Sequence, residues 1–369
     1  MSGSGPTPDL DDRLTAAAIR LGARELGRTW PNPAVGALIV RHEEAGPVVV
    51  GRGWTRKGGR PHAEVEALAD AGERARGATC YVSLEPCSHH GRTPPCSEAL
   101  IAAGVSRVVS AIEDPDPRVS GRGHAMLREA GIEVVVGVGM EAAHAVNAGH
   151  FLRVREGRPW VTLKLAASRD GMIAGPGGAP VAITGERARA HAHMLRATHD
   201  AILVGIGTAL ADDPELTCRL PGMADRSPVR VVLDTDLRLP VDAKMLETVE
   251  ETPVWLVARE AADPDRRRAL ERRGALVLTS GGGIRASLET LAGQGITRVL
   301  VEGGASVAAS LAGADLVDRA VIFDGAAEIG AHGVPAGSAL AAIRDTGAYR
   351  RVDRATLGDD HMTTYLWTR

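Results

Sequence analysis

Aromatic side chains are scarce in this chain: Phe, Tyr and Trp together make up 3% of its 369 residues. Any sizeable core must therefore be assembled mainly from Ala, Val, Leu and Ile, and there is little from which to build a platform that stacks unpaired bases. An excess of positive charge is missing too. The formal net charge is −3, so no global field draws the chain to nucleic acid. Four cysteines are too few for a disulfide framework at this length. The opening Met-Ser-Gly-Ser-Gly-Pro has neither the basic nor the apolar stretch of a secretory leader. No apolar run approaches the roughly 18 residues of a membrane span. These absences set the expectation of a cytoplasmic protein that binds neither membrane nor nucleic acid.

What is present is an ordinary globular composition, 44% hydrophobic and 24% charged. At roughly 100–200 residues per domain, the length suggests two domains. Residues before Asp9 read as disordered. Asp11 or Asp12 is expected to cap a helix through Leu14, Ala18, Leu21 and Leu26, apolar positions at helical spacing. Strands are expected at 34–40, 47–51, 79–84, 107–112 and 132–138, and helices at 62–71 and 123–130. Thr93 followed by Pro94 reads as a cap and a first helical residue, opening a helix that runs to Ala103. Such alternation implies an α/β unit whose sheet is at least partly parallel. A closing helix at 140–155 leads into a charged stretch before Pro159, which divides the chain into domains 1–152 and 158–369. The second is again α/β. Its expected strands are 161–167, 201–205, 229–233, 254–258, 275–278, 298–301, 317–323 and 362–367, with helices at 187–197, 285–292 and 305–311.

The strongest chemical signal is Pro61-His62-Ala63-Glu64, then Glu85-Pro86-Cys87, then Pro94-Pro95-Cys96. One imidazole and two thiolates make three ligands of a tetrahedral zinc ion, with the fourth position left to water as in catalytic sites. Water in that position ionises near neutrality, with a pKa of about 7. Glu64, two residues after His62, is placed to exchange protons with it and with departing ammonia. His62 and Cys96 both fall at expected helix starts, where thiolate is favoured over thiol. This is the layout of zinc-dependent base deaminases, although their usual Pro-Cys-x-x-Cys is stretched here to eight intervening residues. Two other readings stay open. Taken singly, His62 fits a helix cap, the cysteines fit buried apolar groups and Glu64 fits a first-turn acid. A closed structural zinc site would need a fourth protein ligand, for which His89 or His90 is available.

Asn32-Pro33-Ala34-Val35-Gly36, His62-Ala63-Glu64 and the string from Glu85 to Cys96 together resemble the bifunctional deaminase–reductases of riboflavin biosynthesis. The inserted Ser-His-His-Gly-Arg-Thr-Pro-Pro distinguishes them from cytidine deaminases in general. The likeness continues through 111–117 and Gly121-Arg122-Gly123. It implies a cytidine-deaminase-like N-terminal domain that removes the 2-amino group from a diaminopyrimidinone carrying a ribosylamino 5′-phosphate. Asn32 would meet the pyrimidine edge, while His89, His90 and Arg92 would offer donors to the ribose or its phosphate.

Lys164–Gly171, Leu203–Thr217 and Val301-Glu302-Gly303-Gly304 resemble the same family's reductase domain. This implies a dihydrofolate-reductase-like fold that uses NADPH. The glycine pair between a strand and a helix would let a phosphate meet bare backbone N–H groups. Matched residue by residue, Ala166, Thr208, Asp212, Thr235, Gly303, Gly304, Ala305 and Ser306 would face NADPH. Lys164, Arg196, Leu216, Arg219 and Glu302 would face the substrate, and the two guanidinium forks suit its phosphate. Hydride delivery to C1 would open the ribose to a ribityl chain. Pro180 and Ala182 depart from the family's Ser-x-Trp-Ile-Thr string, and 323–330 departs from its Tyr-x-Ala-Pro-x-x-Leu-Gly. The lost stacking and hydrogen bonding would each cost on the order of 1 kcal/mol of binding. A deaminase joined to a non-reducing C-terminal domain is therefore the alternative, whereas acidity and scarce aromatics weigh against a nucleic-acid-editing enzyme. The expected cofactors are zinc and NADPH, and the expected partners are the small phosphorylated pyrimidine and further copies of the chain.

Overall fold

The computed structural model describes residues 7–91, 94–345 and 347–368. Of the stretch before Asp9 expected to be disordered, residues 1–6 lie outside them, whereas Thr7 and Pro8 are ordered as the cap and first residue of the opening helix. The chain divides into two compact units, 1–157 and 158–369.

The first unit runs α1 (Pro8–Ala23), β1 (Gly36–Glu43), β2 (Gly46–Trp54), α2 (Ala63–Ala71), β3 (Thr79–Val82), α3 (Cys96–Ala103), β4 (Arg107–Ser110), α4 (Arg122–Glu129), β5 (Glu133–Val136) and α5 (Met140–Glu156). Its sheet has the order β2-β1-β3-β4-β5, with β1 antiparallel to both neighbours and β3, β4 and β5 parallel. Gly51 and Gly53 let α2 lie close on β2. A Cβ on Gly53 would come within 2.0 Å of the Ala63 carbonyl oxygen, and one on Gly51 within 2.2 Å of that of Ala67.

Two expected helix starts are corrected. Thr7, not Asp11 or Asp12, caps α1: its side chain accepts from the Leu10 N–H, and proline follows it. Asp11 is instead buried within the helix, accepting hydrogen bonds from Arg107 at 2.9 and 2.8 Å and from the Tyr81 hydroxyl at 2.9 Å. Burial pushes its carboxyl up, but Arg107 and Tyr81 more than offset this and leave it below the usual range. The second start moves from Pro94 to Cys96, because Pro95 holds the extended conformation of the residue preceding the helix. Thr93 lies outside the described residues.

The second unit comprises β6 (Trp160–Ala167), β7 (Met172–Ala174), α6 (Glu186–Ala197), β8 (Ala201–Gly205), α7 (Ile206–Asp212), β9 (Val229–Leu233), α8 (Lys244–Glu247), β10 (Val254–Ala258), α9 (Pro264–Arg272), β11 (Leu276–Thr279), α10 (Gly283–Gly293), β12 (Arg298–Val301), α11 (Ala305–Gly313), β13 (Arg319–Asp324), β14 (Val334–Pro335), α12 (Gly337–Asp345), β15 (Tyr349–Leu357) and β16 (Asp360–Trp367). The main sheet has the order β11-β10-β9-β8-β12-β6-β13-β16-β15. It is parallel from β11 to β13, and β16 and β15 add antiparallel strands. Strands β10 and β12 are buried throughout and β8 nearly so, as the covered interior of a parallel sheet requires.

Candidate active sites

In the first unit the zinc-ligand candidates come from three elements. His62 is the residue before α2, Cys96 is the first residue of α3, and Cys87 lies on the loop after β3. His62 Nδ1 is 3.3 Å from Cys96 Sγ and 3.6 Å from Cys87 Sγ, and the Cys96 N–H donates to Cys87 Sγ at 3.3 Å. Nitrogen and sulfur ligands at about 2.0 and 2.3 Å from a tetrahedral zinc stand roughly 3.5 Å apart, so these donors have the spacing that the ion requires. Their chemistry also fits. The hydrogen bond from Cys96 holds the Cys87 thiol down to about 4, and the same contact pushes Cys96 up. Among the described residues no fourth His, Cys, Asp or Glu joins this cluster. His90 is exposed and faces Glu98 at 3.6 Å.

Glu64 sits in the first turn of α2 and is only 3% exposed. Burial pushes its carboxyl up to about 7, against the pull of His62 and with the push of Cys87. Such a group can give and take a proton near neutrality. The cysteine-bearing turn has its own anchor. The Glu85 carboxylate accepts from the backbone N–H groups of Asp114, Gly121, Gly123 and His124, at 3.0–3.2 Å.

A cavity of about 260 Å³ opens onto this centre, and Asn32, His62, Glu64, Cys87 and His89 line it. The Asn32 amide nitrogen donates to the Gly59 carbonyl at 2.8 Å and abuts His62 Nε2 at 3.3 Å, so it also braces the imidazole. His90 does not line the cavity, and Arg92 lies outside the described residues. The same wall contains Arg60, Asp114, Asp116, Arg118, His150 and Arg153, none of which stood out by chemistry in the sequence. His150 and Arg153 are three apart on α5, a spacing that puts them on one helix face. That face could have been read as a site had the helix not been taken for a plain closing element.

In the second unit a cavity of about 950 Å³ lies at the carboxyl ends of β6, β8, β9 and β12, where ligands of open α/β sheets bind. Lys164, Ala166, Arg196, Thr208, Asp212, Arg219, Glu302, Gly303, Gly304, Ala305 and Ser306 all line it. Gly304 precedes α11 with no side-chain cap, and its N–H donates to Thr208 Oγ1 at 3.2 Å. Pro180 and Ala182, the departures from the family string, stand on the same wall.

Three expectations need correction here. Leu216 is 4% exposed, belongs to the hydrophobic core and does not line the cavity. Thr235 is exposed just beyond β9 and does not line it either. Arg196 reaches the wall, but its guanidinium is already held. It donates to Glu302 at 2.8 and 3.1 Å and to the Thr217 carbonyl at 2.9 Å. Arg219 also donates to a carboxylate, that of Glu215 at 2.8 Å, but this pair is exposed, so Arg219 is the more available phosphate ligand of the two. Arg189 and His193, on the same face of α6 as Arg196, are additional cavity residues.

Comparison with known proteins covers both units. Residues 9–112 match the family model of the cytidine and deoxycytidylate deaminase zinc-binding region, and residues 159–347 match that of the RibD C-terminal domain. Riboflavin biosynthesis protein RibD of Aquifex aeolicus is 39% identical over 95% of this chain and 97% of its own length. RibD of Escherichia coli is 42% identical over 85% of this chain and 87% of its own length. The solved structure of Acinetobacter baumannii RibD, form 1, superposes with a TM-score of 0.87 at 36% identity, covering 98% of this chain and all of the other. A Thermotoga maritima structure described as a diaminohydroxyphosphoribosylaminopyrimidine deaminase/5-amino-6-(5-phosphoribosylamino)uracil reductase gives 0.84 at 31% identity, over 98% and 99% of the two chains. The chain thus belongs to the RibD family, the bifunctional zinc-dependent deaminases and NADPH-dependent reductases of riboflavin biosynthesis.

Proposed function

We propose that His62, Cys87 and Cys96 hold the zinc ion and that Glu64 carries the protons of the deamination. Zinc, when bound, makes water acidic enough to attack at neutral pH. Glu64 takes a proton from the attacking water and passes it to the adjacent ring nitrogen, then moves the remaining hydroxyl proton to the 2-amino group, which leaves as ammonia while the ring carbon becomes a carbonyl. Asn32 and His89 hold the pyrimidine and its sugar, and Arg92 meets the phosphate. The observation that carries this reading is the burial of Glu64 beside the three metal donors, with its carboxyl raised to about 7.

For the reduction, NADPH would, when bound, provide the hydride that C1 of the ribose accepts. We assign the cofactor's phosphates to the backbone at Gly303, Gly304, Ala305 and Ser306, with Thr208, Asp212 and Ala166 along its length. Lys164 and Glu302 face the ribose, and Arg219 faces its phosphate. Leu216 and Thr235 can contribute only at the margin of this cavity, through backbone or a shifted loop. The two units serve as the deaminase domain (1–152) and the reductase domain (158–369), in a cytoplasmic homo-oligomer whose subunit number sedimentation would give.

Glu64→Gln tests the reading. Ammonia release should fall by about 10²-fold or more, while zinc content and NADPH oxidation with the deaminated substrate stay at the parent level. Undiminished ammonia release refutes the role of Glu64.

A further inference from the structure

His193 lies on α6 with its ring on the wall of the reductase cavity. The backbone N–H of Arg219 donates to its Nδ1 at 3.2 Å. A nitrogen that accepts from an amide carries no proton of its own, so in the neutral ring the proton must sit on Nε2. Burial, with Arg196 and Arg219 nearby, pushes the ring below the usual histidine range, which keeps it neutral. Glu302 and the Thr217 carbonyl beside the ring pull the other way without overcoming this. One turn earlier, Arg189 also lines the cavity and, among the described residues, donates only to the Thr184 carbonyl, at 3.1 Å. Of the other cations on this wall, Arg196 and Lys164 share the buried Glu302 carboxylate, while Arg219 and Arg238 face Glu215 and Asp234.

We propose that His193 contacts the reductase substrate, donating its Nε2–H to an oxygen of the sugar phosphate while Arg189 supplies charge beside it. The assignment rests on the reading that the sugar phosphate lies against α6. A single backbone hydrogen bond thereby does two things. It fixes which ring nitrogen holds the proton, and it ties the segment bearing Arg219 to the helix that bears Arg189 and His193. The substrate's phosphate end then meets a neutral donor flanked by two guanidinium groups, with no further buried charge added to the wall.

Three variants separate this role from simple support of the 217–219 segment. In His193→Asn the amide oxygen stands where Nδ1 stood and can still accept from Arg219, but nothing reaches the Nε2 position. In His193→Gln an amide N–H returns to about that position. Steady-state NADPH oxidation is measured with 5-amino-6-(5-phosphoribosylamino)uracil as substrate. His193→Asn should raise its KM about tenfold, the worth of one hydrogen bond to a charged acceptor, with the KM for NADPH unchanged. His193→Gln should recover most of that loss. A parent-like KM in His193→Asn overturns the proposal, and so does an equal loss in both variants, which would mean the ring is needed only for its shape. Arg189→Ala reports on the underlying reading: an unchanged KM there removes the phosphate from α6, whatever the His193 pair shows.

Discussion

Arg196 and Glu302 form a two-pronged ion pair, with the guanidinium donating to the carboxylate at 2.8 and 3.1 Å. Lys164 Nζ stands 3.6 Å from the same carboxylate. Burial alone would raise the Glu302 carboxyl, but Lys164 and Arg196 outweigh it and hold the group at about 2. Its folded value lies below the ordinary 4.5, so the carboxylate adds stability above that pH, and the contribution is lost as the pH falls toward 2. Glu302→Gln leaves two largely buried cations without their counter-ion. It should cost about 3 kcal/mol in the unfolding of the second unit, read by denaturant titration at neutral pH. A variant as stable as the parent would show that the pair carries no net stability.

A second pH dependence comes from His199, which is fully buried. Its Nδ1 lies 2.6 Å from the Leu195 carbonyl oxygen and its Nε2 lies 2.9 Å from Thr162 Oγ1. Burial, with Arg298 adding to it, lowers the ring from 6.5 to about 3. The unfolded chain therefore takes up a proton that the folded chain refuses across this window. Stability falls as the pH drops, by up to about 1.4 kcal/mol per pH unit. His199→Gln should flatten the slope between about pH 6 and pH 5, above the range in which Glu302 acts. Denaturant midpoints across that interval measure it, and an unaltered slope would assign the dependence to other groups.

Gly123 controls the geometry of the metal centre from outside it. A Cβ there would come within 2.0 Å of the Pro86 carbonyl oxygen, next to Cys87. Its N–H also donates to Glu85 Oε1 at 3.0 Å. Gly123→Ala must push the Glu85-Pro86-Cys87 turn away, and zinc affinity should fall about 10- to 100-fold. NADPH oxidation with the deaminated substrate should persist, because it depends on the second unit. Competition with a chelator gives the affinity, and parent-like zinc retention would mean that the turn yields without moving the thiolate.

Some of this was legible in the sequence, for physical reasons. Val254–Ala258 and Arg298–Val301 were found at their true bounds because strands covered on both faces read as unbroken apolar runs. The edge strand β15, Tyr-Arg-Arg-Val-Asp-Arg-Ala-Thr-Leu, gave no such signal because most of it is exposed. The metal donors were visible as residue types in order. The fates of Asp11 and Arg196 were not, since each depends on a partner about a hundred residues away: Arg107 at a separation of 96, Glu302 at 106. Leu216 looked like a site residue by position in a string, yet its backbone adopts a left-handed conformation, φ 55°, and its side chain is buried in the core. His150, Arg153, Arg189 and His193 escaped notice because a helix face becomes a cavity wall only once its packing is known.

The central claim is a zinc ion held by one imidazole and two thiolates, with no fourth protein ligand. X-ray absorption at the zinc edge of the loaded enzyme tests it most directly. Two sulfurs at about 2.3 Å and two nitrogen or oxygen neighbours at about 2.0 Å, one of them displaced by a competitive deaminase inhibitor, is the result expected. Fewer than two sulfurs, or a shell that no inhibitor alters, would contradict the account.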